Sequence, residues 1–128
     1  MNIDEVESED RKFQKELAAG ISALVLLSIL DAAAGPRYGY QIAKLIDGQR
    51  ENIPLLKQGA LYPVLRSLES SGLLESTVEP SVSGPPRRYY LITEPGRKAL
   101  VRWTETWVQT KTFVDDILKG EPHGQDHR

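Results

Sequence analysis

Apolar residues recur at helical spacing over the first half of the chain and then give way to short strand-like runs. From about Asp10 to Asp31, apolar positions at Phe13, Leu17, Ile21, Leu24 and Val25 widen into the Leu27 to Leu30 run. This spacing predicts a helix whose second half belongs in a core. Gly35-Pro36 breaks it. Tyr38 to about Gln49 reads as a shorter helix with Ile42, Leu45 and Ile46 as its buried stripe, and Pro54 stops regular structure in the connector from Arg50 to Leu56. A third helix is predicted over Gln58 to Ser71. There Leu61, Val64, Leu65 and Leu68 fall at i, i+3, i+4 and i+7 and share one face. At about 100° per residue, Gly59, Tyr62, Pro63, Arg66 and Ser70 point the other way. Pro63 is expected near the first turn, where a missing N–H costs little, and Gly72 is expected as a left-handed cap.

Leu73–Val78 and Arg87–Thr93 read as two strands, joined by Glu79 to Pro86, a turn-rich loop long enough to project as a flap. Thr93 is placed to cap a last helix, with Pro95 in its first turn, running from about Glu94 to Lys119. Three helices, a hairpin and a long final helix predict a mainly α protein. It is read as a winged helix-turn-helix with an N-terminal helix and a long C-terminal dimerisation helix. The expected organisation is a flexible acidic N-terminus over 1–9 and a winged helix domain over 10–93. A dimerisation helix over 94–119 and a flexible tail over 120–128 complete it.

Charge first speaks against nucleic acid and then for it. The net charge is −2, but Asp4, Glu5, Glu7, Glu9 and Asp10 are crowded into the first ten residues; setting those five aside leaves +3. Residues 84–102 hold Arg87, Arg88, Arg97, Lys98 and Arg102 against Glu94 alone. Screening limits a surface field to roughly 8–10 Å, so this local patch outweighs the global sum.

A winged helix lays its third helix in the major groove while the wing reaches nearby backbone. The polar side of the third helix suits that task. Gly59 permits close approach, Tyr62 can bond phosphate or pack on sugar, and Arg66 can pair with phosphate or guanine. Lys57 and Gln58 stand at the helix start, where free N–H groups favour an anion. Arg87 and Arg88 stand at the wing's return strand and alternate faces, so one of them is expected to reach DNA. Ordinary surface roles compete: Tyr62 as a half-buried aromatic, and Arg66 as a solvated charge beside Glu69 or Ser70. Tyr38, Tyr40, Tyr89 and Tyr90 are read first as packing residues.

Gly59-Ala-Leu-Tyr-Pro-Val-Leu-Arg-Ser-Leu-Glu69 followed by Gly72-Leu-Leu resembles the recognition-helix signature of the PadR family of bacterial transcriptional regulators. Tyr38-Gly-Tyr-Gln-Ile42 resembles that family's second-helix start, and Gly84 to Gly96 resembles its wing and the turn into the last helix. The blocks occur in the family's order and spacing and, together with the first helix, cover about residues 17–118. The resemblance is to the short subfamily with a single C-terminal helix. It implies a homodimer on an inverted-repeat operator in double-stranded DNA, usually as a repressor. It adds weight to Gly59, Tyr62 and the wing arginines as DNA contacts and adds Tyr38, Tyr40 and Lys44. Two positions depart from the family. Lys57 stands where a small hydroxyl residue is usual, removing a cap worth ~1 kcal/mol, and Ala60 stands where threonine is frequent.

Along the last helix, Leu100, Trp103, Trp107, Thr110, Val114 and Ile117 alternate at three- and four-residue steps, a coiled-coil-like seam. With Leu24 of the first helix, it is expected to form the dimer interface. The resemblance also implies that Trp107, with Trp103, can face a planar aromatic effector by stacking; plain interface packing is the competing reading. Enzyme chemistry is not expected, since His123 and His127 lie in the polar tail and no nucleophile-base constellation has suitable context. No cofactor or metal is expected. The absence of cysteine excludes disulfides and thiolate sites and fits a reducing, cytoplasmic setting. Neither a secretory signal nor a membrane association is expected. The alternative function is a winged-helix module that binds protein rather than specific DNA.

Overall fold

The computed structural model describes residues 2–49 and 58–120. Lys57, the connector from Arg50 to Leu56 and the tail histidines lie outside the described residues, as does the side chain of Gln58. Elements run in the order α1 (Ile3–Ala32), β1 (Arg37–Tyr38), α2 (Gly39–Gln49), α3 (Gln58–Ser70), β2 (Leu74–Glu79), β3 (Arg87–Ile92) and α4 (Glu94–Leu118). The molecule is mostly helical with a small antiparallel sheet of order β1-β3-β2.

α1 begins seven residues before the expected start. Its N-cap is Asn2, whose Oδ1 accepts from Glu5 N–H at 2.8 Å, and Asp4 and Glu5 occupy the first turn. Both features favour a helix N-terminus electrostatically, so the acidic stretch that looked unsuited to structure extends the helix instead. By length and composition α1 is apolar enough to cross a membrane. Its C-terminal third is the centre of the core instead: Leu26, Leu27 and Leu30 are buried there with Ile42, Leu61, Leu65 and Leu74. Each such side chain contributes about 1.5–3 kcal/mol on burial.

α3 ends as its glycine demands. Gly72 has φ +79°, Leu73 N–H donates to Leu68 O and Gly72 N–H to Glu69 O, both at 2.9 Å, which is a Schellman cap. Pro63 lies in the second turn rather than near the first, so it removes the intrahelical bond to the Gly59 carbonyl, yet α3 runs through it unbroken. α4 starts as expected: Thr93 Oγ1 accepts from Gly96 N–H at 3.0 Å. Arg97 Nε lies 3.5 Å from the Asp31 carboxylate, tying the end of α1 to the start of α4. Further along, Leu17 and Gly20 share a groove with Trp107 and Thr110, so the two helices run antiparallel.

Sequence periodicity misses β1. Its two residues pair Arg37 with Tyr90 and Tyr38 with Tyr89, so Tyr38 is a strand residue and α2 starts one position later. The longer hairpin runs in register from Leu74–Ile92 to Glu79–Arg87.

Candidate nucleic-acid interface

α3 divides as its pattern predicts. Leu61, Leu65 and Leu68 enter the core, and Tyr62, Pro63, Arg66 and Ser70 lie on the exposed side. The buried face fixes the helix, so the exposed one is presented rigidly.

Tyr62 remains 38% exposed, with its ring against the backbone of Gly39 at the start of α2. It is therefore half-buried and available at once. Arg66 is exposed, and its expected neighbour Glu69 is engaged elsewhere: Glu69 Oε2 accepts from Ser76 Oγ, which in turn accepts from Arg88 Nη1 at 2.9 Å. α2 opens with its own local cap, Gln41 Oε1 accepting from Tyr38 N–H at 3.1 Å.

A row of cations and rings joins the wing to α2. The Arg87 guanidinium lies 4.5 Å from the centre of the Tyr38 ring, Tyr38 stacks on Tyr40 at 6.4 Å, and Lys44 Nζ lies 5.5 Å from the Tyr40 ring. Tyr89 meets Tyr38 edge-on at 5.3 Å. Arginine and lysine over exposed aromatic faces gain about 0.5–1 kcal/mol each and lose little hydrogen-bonding capacity. Tyr89 and Tyr90 are packing residues, as read from the sequence, while Tyr38 and Tyr40 pack and stay partly accessible.

These parts converge on one groove of 490 Å³ between α3, the start of α2 and the wing. Its walls include Tyr38, Gly39, Tyr62, Arg66, Arg87 and Arg88. Strand alternation leads one to expect a single wing arginine at this surface; both line it. Among the described residues Glu69 is the one acid in its wall. Burial, and then the Glu69 carboxylate, push the Tyr90 phenol above its ordinary pKa, so it stays neutral beneath the arginines. Beyond the groove the wing tip is shaped by Ser81, whose hydroxyl faces the carbonyls of Ser83, Gly84 and Pro85 at 3.1, 2.9 and 2.9 Å. Gly84 has φ +102° there.

Gly39 is the site residue that sequence reasoning passed over. It belongs to the Tyr38-Gly-Tyr-Gln-Ile42 motif, and nothing in periodicity says which side chain it makes room for. The seam of α4 also divides. Leu100 and Trp103 pack on their own core, whereas Trp107, Thr110, Val114 and Ile117 are exposed. Trp103, Trp107 and Leu24 line a second groove, of 470 Å³, between α1 and α4.

A three-helix core with a β-wing, an exposed recognition-type helix and arginines on both sides of one groove defines a winged helix-turn-helix protein of the DNA-binding kind. The model of the Transcriptional regulator PadR-like family matches residues 26–102, and the chain belongs to that family. The family consists of DNA-binding transcriptional regulators, not enzymes. A PadR family transcriptional regulator from Eggerthella lenta superposes with a TM-score of 0.71 at 32% identity, covering 90% of this chain and 94% of that one. A transcriptional regulator from Clostridium thermocellum gives 0.70 at 29% identity, over 79% and 96%. A PadR-like regulator from Bacillus cereus gives 0.65 at 27%, over 83% and 99%. No curated protein sequence matches the chain significantly.

Proposed function

We propose that this regulator acts in the cytoplasm as a homodimeric repressor. Two copies of α3 and the wing read an inverted-repeat operator, and a planar aromatic ligand between α1 and α4 releases it. The observation that carries the DNA reading is the groove in which Tyr62 and Arg66 of α3 face Arg87 and Arg88 of the wing. Tyr38 at the end of β1, with Tyr40 and Lys44 of α2, extends that surface as backbone contacts, and Gln58 and Gly59 at the start of α3 supply further contacts, together with Lys57, which lies outside the described residues.

Support for self-association is the exposed apolar side of α4 beyond Trp103. A helix of 25 residues that leaves Trp107, Val114 and Ile117 in water gains by burying them against a second copy. Support for an effector is the α1–α4 groove, with two indoles and aliphatic walls, a lining on which a flat ring can stack. A ligand wedged there would alter the angle between α1 and α4 and shift the population competent for two half-sites.

The test is a gel-shift series against duplexes selected by the protein from a random pool, repeated at rising salt. Phosphate contacts release counterions, so affinity is expected to fall steeply. Binding that ignores salt would favour the protein-binding alternative.

A further inference from the structure

Arg88, Ser76 and Glu69 come from β3, β2 and α3 and form a single chain of hydrogen bonds. Arg88 Nη1 donates to Ser76 Oγ at 2.9 Å, and Ser76 Oγ donates to Glu69 Oε2 at 2.5 Å. A serine hydroxyl has one proton and two lone pairs. With the proton directed at Glu69, a lone pair faces the guanidinium, so the carboxylate sets the polarity of a hydroxyl it shares with the arginine. The register explains the approach: Ser76 pairs with Tyr90, and Arg88 lies diagonally across on the same face of the hairpin.

Arg88 is otherwise an exposed side chain at the groove wall. A free arginine there would sample many rotamers and lose that freedom on meeting a phosphate. One guanidinium nitrogen held by Ser76 leaves the remaining N–H donors unengaged by that bond and aimed from a fixed place. Resting on the DNA-binding reading above, we propose that Ser76 and Glu69 are positioning residues that preset Arg88 as the wing's phosphate-binding group. They also lock the wing to the C-terminal end of the recognition helix, so the spacing between Arg66 and Arg88 is held before DNA arrives. Neither residue needs to touch DNA itself.

Ser76 is the discriminating position, because replacing it changes no charge. Anisotropy titrations use a fluorescent duplex selected by the wild-type protein, with full-length wild type, Ser76→Ala, Ser76→Thr, Arg88→Ala and the Ser76→Ala/Arg88→Ala double variant. Arg88→Ala is expected to weaken binding and to flatten the slope of log K against log salt by about 0.9. Ser76→Ala is expected to weaken binding roughly two- to tenfold, the cost of one newly immobilised side chain, in a protein that remains folded at the assay temperature with at most a small drop in melting temperature. Ser76→Thr keeps the hydroxyl and is expected to restore wild-type affinity. In the Arg88→Ala background, Ser76→Ala is expected to add nothing. An equal loss in both backgrounds, or wild-type binding by Ser76→Ala or Arg88→Ala, would overturn the positioning role. A wild-type protein that selects no duplex would instead sink the DNA-binding reading on which it rests.

Discussion

Gly39 and Tyr62 are a matched pair: a Cβ added at Gly39 would come within 2.6 Å of Tyr62 Cζ. The first residue of α2 must therefore be bare for Tyr62, the one aromatic of α3, to lie against it. Gly39→Ala is expected to turn the half-exposed Tyr62 ring aside, at a cost of about 0.5–1.5 kcal/mol for an off-rotamer side chain, and to weaken duplex binding. Adding Tyr62→Ala removes the clash. Thermal denaturation should then show Gly39→Ala costing much less in that background, and a full cost in both would mean the strain lies elsewhere.

Gly96 has the same need for a different reason. A Cβ there would meet the Leu73 carbonyl and lie 2.8 Å from Ile92 Cγ1, at the point where Thr93 N–H donates to that same Leu73 carbonyl at 3.1 Å. Backbone cannot move aside as a side-chain tip can. Gly96→Ala should cost at least as much as Gly39→Ala, read by urea titration, and should loosen the wing's base. A variant as stable as the wild type would show that α4 can shift without loss.

Much of this was legible because it depends on local chemistry. Leu61, Val64, Leu65 and Leu68 fix the buried side of α3 by spacing, and Gly72 and Thr93 mark helix ends by conformational and hydrogen-bonding needs that do not depend on the rest of the fold. What was not legible depends on distant partners. β1 is two residues long and exists only because Arg37 and Tyr38 meet Tyr90 and Tyr89. Glu69 looked like a neighbour for Arg66 along the helix and is engaged by Ser76 of β2. Strand alternation separates Arg87 from Arg88, yet both line one groove because Arg87 folds over Tyr38 while Arg88 is held by Ser76. Composition suggested a loose start to the chain, where Asn2 and two acids make a well-capped helix.

On the proposed DNA reading, Tyr62→Ala and Arg66→Ala should each weaken duplex binding and leave the oligomeric state in sedimentation analysis unchanged. Both side chains are exposed, so neither change opens a core cavity. If Arg66 meets phosphate, its loss flattens the salt slope by about 1; if it meets guanine, relative affinity for altered half-sites changes by about 1–3 kcal/mol at one base pair. Normal binding by both variants would remove α3 from the interface.

Tyr90 gives the fold an alkaline limit. Its phenol is pushed above the ordinary value of 10.0 by burial and then by Glu69. Below that ordinary value both folded and unfolded chains keep the proton and stability is unaffected. As pH rises past it, the unfolded chain ionises first and the folded state loses ground. Melting temperature should therefore fall more steeply above roughly pH 10 for the wild type than for Tyr90→Phe, which cannot ionise. Parallel curves for the two proteins would mean that Tyr90 does not set this limit.

The dimer reading makes a directional prediction about α4, because its exposed apolar residues lie on two different sides. Trp107, Val114 and Ile117 continue the line begun by Trp103, which is the side facing α1. Val101 is also exposed but lies about 140° around the helix from Val114 at 100° per residue. Burying a carboxylate in an apolar seam costs several kcal/mol unless it finds a partner, while the same carboxylate in water costs almost nothing. Val114→Glu and Ile117→Glu should each yield a monomer in sedimentation equilibrium, and Val101→Glu should stay dimeric. A single winged helix covers one half-site, so the monomeric variants should also lose the affinity gained by binding two linked half-sites together, while Val101→Glu keeps it. If Val101→Glu dissociates and Ile117→Glu does not, subunits meet on the opposite side of α4 and Trp107 is left facing solvent rather than its mate.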